Sequence, residues 1–142
     1  MSQIQPDTIE KALDTLCDYY LPRVLQYFHY WLEDIETAER LAVETLKQAI
    51  KKIEGLDART EALSEQIFIL ARQTVKIAGG NSLKKLNGLS YAECEVVALK
   101  MGAELSNRCI GNILGLSEPV VGKLLLQSLD KMKDHIGIKQ AI

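Results

Sequence analysis

Near the end of the chain, Ser117, Glu118, Lys123 and Gln127 have the residue types and spacing of a surface that could meet nucleic acid. Such a surface needs a cation for phosphate and side chains with donors and acceptors for base edges. The four residues lie in or just after the segment Ile110-Gly-Asn-Ile-Leu-Gly-Leu-Ser-Glu-Pro-Val-Val121. Gly111 precedes Gly115 by four positions, which lets two helices approach closely and then lets the backbone turn sharply. Ser117 is a suitable N-cap for the following helix, and Pro119 is tolerated in a first helical turn. Apolar Ile110, Leu114, Leu116, Val121 and Leu125 fall where a helix-turn-helix needs its core.

The rest of the chain has no constellation that would do covalent chemistry. There is no glycine-rich phosphate loop, no HExxH, and no Ser/His/Asp grouping, so an enzyme is not expected. His29 and His135 fall in different halves and read as partly exposed surface residues. Glu33, Asp34, Glu36 and Glu39 read as a solvated helix start, where negative charge is favourable, rather than as a metal site. Cys17, Cys94 and Cys109 are far apart and without a CxxC, which predicts buried thiols in a reducing cytoplasm and neither metal nor cofactor. No apolar run approaches the ~18 residues that a membrane span requires, and the first residues lack the pattern of a secretory signal.

Seventeen basic against nineteen acidic residues give a net charge of −2. Residues 1–78 carry nine Lys/Arg and thirteen Asp/Glu, and residues 89–136 carry five and six. Both halves are therefore slightly acidic, which is not the footprint of a strong nucleic-acid binder.

The elements that must position the candidate surface are all helical. Asp7-Thr-Ile-Glu10 reads as a capping box opening a helix to about Tyr20, and Pro22 should kink or restart it before it continues to about Leu32. Six of the eight aromatic residues (Tyr19, Tyr20, Tyr27, Phe28, Tyr30 and Trp31) crowd into this segment. A second helix is expected from Thr37 to Ile53, with Gly55 as its stop, and a third from about Arg59 to Ile77. The run Ile67-Phe-Ile-Leu70 marks the third as the central helix of the first half. Ser90-Tyr-Ala-Glu93 repeats the capping box and opens the second half. The expected architecture is all-α, in two small helical subdomains: 1–78, a connector 79–88, and a helix-turn-helix unit 89–142.

Taken in this order, the segments resemble the small ECF-type sigma factors of bacterial RNA polymerase. Ser90-Tyr-Ala-Glu-Cys-Glu-Val-Val-Ala-Leu99 and the Ile110–Val121 turn are similar to the family's region four. Tyr20-Leu-Pro-Arg-Val-Leu25, Thr37-Ala-Glu-Arg-Leu-Ala-Val-Glu-Thr-Leu46 and Ile67-Phe-Ile-Leu-Ala-Arg-Gln73 are similar to its region two. The resemblance implies a first domain that binds the polymerase, here through Leu41, Glu44, Thr45 and Lys47, and a last domain that reads promoter DNA in the major groove. It covers nearly the whole chain.

Departures from the family pattern run in one direction. Arg40, Val43 and Leu46 stand where the family usually has an acidic residue, a glutamine and a phenylalanine. Residues 47–66 contain no aromatic side chain to stack on an unpaired base. With Val121 and Leu125 buried, 100° per residue turns Lys123, Leu126, Gln127 and Asp130 outward. That set neutralises few phosphates, whereas Leu126, with Leu124, suits a protein partner. Two functions are therefore expected. One is a sigma-like transcription protein associating with core RNA polymerase, with weak or shared promoter contact. The other is a sigma mimic that binds an anti-sigma-type regulator or dimerises. The ten-residue connector reaches at most about 33 Å, which favours two halves packed together.

Overall fold

Residues 6–52, 61–78 and 88–135 are described by the structure, a computed structural model, with side chains between 14 and 133. The first helix, α1, runs over Pro6–Trp31 with Pro22 inside it, so of the kink or restart expected there the restart does not occur. The reason lies in the burial pattern. Tyr20, Val24, Tyr27, Phe28 and Trp31 are all buried, at intervals that keep one stripe facing inward on both sides of the proline. Pro22 is on the exposed side, where the carbonyl it leaves without a helical donor can face water. Next to it, Arg23 Nη1 donates to the Tyr19 carbonyl (2.6 Å), and its guanidinium lies 4.0 Å from the centre of the Tyr19 ring. Asp7 falls inside the first turn of α1 rather than ahead of it, and the side chains of the expected Asp7–Glu10 box lie outside those described.

Helix α2 covers Ile35–Lys52, starting two residues before the expected Thr37. Asp34 is its cap: Oδ2 accepts from the Thr37 amide (3.3 Å) and from the Thr37 hydroxyl. The expected stop at Gly55 lies outside the described residues. Helix α3 covers Glu61–Ile77 and buries Leu63, Ile67, Phe68, Ala71 and Val75 between α1 and α2. It is less enclosed than its apolar run suggests, because Ile69 is exposed and Leu70 only half-buried.

The second half opens on α4 (Tyr91–Val97) with the expected capping box. The Glu93 amide donates to Ser90 Oγ (3.2 Å), and the Ser90 amide donates to Glu93 Oε1 (2.8 Å). The chain then widens into a π-turn, Ala98–Gly102, closed by the Ala103 amide on the Ala98 carbonyl (3.1 Å). Gly102 lies directly on α1: a methyl group there would come within 3.1 Å of the Tyr27 Cα and of the Tyr30 ring. Helix α5 (Asn107–Leu114) is capped by Ser106, whose Oγ accepts from the Cys109 amide (3.1 Å). Helix α6 spans Glu118–His135.

These contacts join what the sequence reads as two subdomains. One hydrophobic cluster includes Tyr27, Trp31 and Phe68 of the first half together with Val96, Leu99, Ile110 and Val121 of the second. The π-turn rests on α1, and α5 rests on α3. Residues 79–87 of the connector lie outside the described residues. Among those described, the protein is entirely helical and turn, with no strand.

The α5–α6 turn generates a stability prediction. Gly115 is left-handed (φ 74°), and the Leu116 amide returns to the Gly111 carbonyl (2.9 Å). A Cβ on Gly111 would overlap the Leu116 carbonyl oxygen, a backbone atom that cannot rotate away. Gly111→Ala is expected to cost about 2–3 kcal/mol, as overpacking does. Gly115→Ala, which meets no atom within 4 Å and strains only φ, should cost about 1 kcal/mol. Urea denaturation of both variants checks the order.

Candidate recognition surface on the last helix

The axes of α5 and α6 meet at a 103° bend across Gly115-Leu116-Ser117. The Val120 amide donates to Ser117 Oγ (3.4 Å), so the serine caps α6 as its type and position predict. Val121 and Ser128 are fully buried, and Leu124, Leu125 and Met132 are packed against the core, which fixes the inner side of α6. Its outer side follows from the helical period. Ser117, Glu118, Lys123 and Gln127 are all exposed, as the sequence reading requires, and so is Asp130.

Of the two leucines assigned to a protein partner, Leu126 stands 67 % exposed, whereas Leu124 is half-buried against the core. The sequence reading missed Val120 and Leu129, which are 42 % and 47 % exposed; Leu129 lies beside Leu126, and Val120 lies about a turn and a half earlier on another side of the helix. A helical wheel could have placed Leu129 about 60° from Leu126, on the edge of the same face. The described charges that point outward cancel. Lys123 and Lys133 face solvent alongside Glu118 and Asp130, and Lys131 is taken up by Glu93.

The residues assigned to the polymerase are divided by burial. Glu44 and Lys47 are exposed, and Glu44 pairs with Arg40 at 3.6 Å on the same helix. Leu41 and Thr45 instead point into the core, with the Thr45 hydroxyl donating to the Leu41 carbonyl (2.8 Å). They share the inward stripe of α2 with Ala38, Ala42, Leu46 and Ala49, so neither can touch a partner while α2 is docked. Their assignment to a binding surface is therefore corrected.

Two ion pairs hold α6 at its angle. Glu93, with a side chain only 3 % exposed, receives Lys131 Nζ of α6 at 2.7 Å. Burial pushes its carboxyl up, but donation from Lys131 and from the Ser90 amide and hydroxyl outweighs this and holds it below the ordinary glutamate value. Glu95 receives Arg72 Nε at 2.6 Å and Nη2 at 3.3 Å, a bidentate pair between α3 and α4. Arg72 Nη1 also reaches the Ile113 carbonyl in the last turn of α5 (3.5 Å). Further along α3, Glu65 accepts from Asn112 Nδ2 (2.9 Å) and Glu61 from Ser106 Oγ (3.2 Å).

None of the three cysteines is in a disulfide; Cys94 and Cys109 are buried and Cys17 is half-buried. Burial, with Glu65 and Glu61 nearby, pushes the Cys109 thiol up to about 11, which keeps it protonated and unreactive near neutral pH. His29 is half-buried. Among the described residues no group of three His, Cys, Asp or Glu side chains could hold a metal ion, and no single helix is long and apolar enough to cross a membrane. The chain matches no protein-family model, and no curated protein or solved structure matches it either.

Both ion pairs can be tested by stability. Arg72→Ala leaves Glu95 charged and largely buried, and is expected to cost about 3 kcal/mol in urea denaturation. For Glu93, a folded pKa below the unfolded one means stability that is present above the ordinary carboxylate range. It is lost as pH falls through that range toward the lowered folded value. Glu93→Gln should therefore flatten the loss of stability between about pH 5 and pH 3 seen with the wild-type chain.

Proposed function

We propose that this chain is a sigma-factor-like transcription protein that associates with RNA polymerase and makes weak or shared contact with promoter DNA. One observation carries the reading: a capping-box helix leads into two helices bent by 103° about a Gly111/Gly115 turn, with the longer one presenting an uncovered face. A helix pair at 90–120° is the geometry that places a second helix in a major groove. The order of the preceding helices, and the exposed Glu44 and Lys47 on α2, support the polymerase half of the reading.

The DNA contribution is small for a physical reason. Two outward lysines opposed by two outward carboxylates release few counterions, so affinity for any promoter fragment is low. Purified chain added to core polymerase is expected to co-elute with it. Any DNA shift by the chain alone should show a salt slope no steeper than about −2. Absence of co-elution in dilute buffer, together with absence of any shift, overturns the proposal.

A second reading is favoured by the burial of Leu41 and Thr45 and by the neutral, leucine-bearing face of α6. In it the chain is a sigma mimic that binds an anti-sigma-type regulator through Leu126 and makes no DNA contact. It predicts no gel shift at any salt concentration, and regulator binding weakened about tenfold or more by Leu126→Glu, because a charge would be buried without a partner.

A further inference from the structure

The outward stripe of α6 is complementary to itself. Lys123 and Asp130 are seven residues apart, so they lie within about 20° of each other on the helix surface. Leu126 lies between them along the axis, about 50° to one side of their line. Position 123 is as far before the midpoint between Leu126 and Gln127 as position 130 is after it. Each charge is thus about 5 Å along the axis from that point. A second α6 laid antiparallel about a two-fold axis through the midpoint sets Lys123 of each copy against Asp130 of the other. Leu126 and its counterpart then meet near the axis.

We propose that the occupant of this face is a second copy of the chain, joined through antiparallel α6 helices in an isologous dimer. Two features carry the inference. The charges match only in the antiparallel sense, because a parallel pair in register would set Lys123 against Lys123 and Asp130 against Asp130. The most exposed leucine of the chain's last helix, Leu126 at 67 %, sits next to the symmetry point.

The same dimer covers Lys123 and Gln127, so self-association competes with every other use of this face. It does not rest on the polymerase or regulator readings, because it is measured on the pure chain alone.

Sedimentation equilibrium of the full chain is expected to show a reversible monomer–dimer equilibrium that loosens as salt is raised. Lys123→Asp, and separately Asp130→Lys, each place two like-charge contacts across the axis and should weaken association by about tenfold or more. The double swap Lys123→Asp/Asp130→Lys restores opposite charges and should restore the dimer. All three changes are at exposed positions, so circular dichroism should match the wild type. A chain that is monomeric up to about 100 µM overturns the proposal, since even a weak interface would be populated there. So does a dimer that ignores the single swaps, or single-swap monomers that keep their helicity but are not rescued by the double swap.

Discussion

One guanidinium ties together three of the helices that lead to the last one. Arg72 of α3 donates twice to Glu95 of α4 and once to the final turn of α5, so a single side chain indexes three helices against one another. Burying such a pair adds little net stability, because both charges lose water. Its effect is on geometry. The planar fork accepts a carboxylate in one orientation only, so α4 and the end of α5 cannot slide independently over α3. Where α5 ends, Gly115 turns the chain, and the direction of α6 follows. Apolar contact holds the halves together, and Arg72 sets their register.

Most of the helical order was legible from pattern and caps. Ser90/Glu93 and Ser117 cap helices as read, whereas the Ser106 cap of α5 was not read, and the glycines of the α5–α6 turn serve the close approach and the sharp turn their spacing implies. Pro22 misled because propensity is a local term. The five buried residues straddling it contribute far more than one missing hydrogen bond removes. Leu41 and Thr45 misled for the opposite reason: similarity to a binding segment says nothing about phase, and the phase of α2 turns both inward. Arg72 was invisible as a determinant. Nothing in a sequence marks which arginine will meet Glu95 across twenty-three positions.

The residues assigned to the candidate surface are exposed, as read, but the reading left out part of the apolar surface beside them. Ser117, Lys123 and Gln127 face solvent, yet Leu129 is also exposed about 60° from Leu126. Balanced outward charge is poorly matched to a polyanion. Both proposed readings use the exposed face of α6.

The seating of Gly102 against Tyr27 has a consequence for synthesis. Seventy-five residues separate the two. At roughly 5–20 residues per second, α1 waits about 4–15 seconds after it is made before the turn that covers it exists. Throughout that interval the first three helices can assemble, but Tyr27 and Trp31 lack their π-turn and Tyr91 cover. The nascent first half therefore leaves these aromatic residues partly uncovered until residues 91–102 have been made.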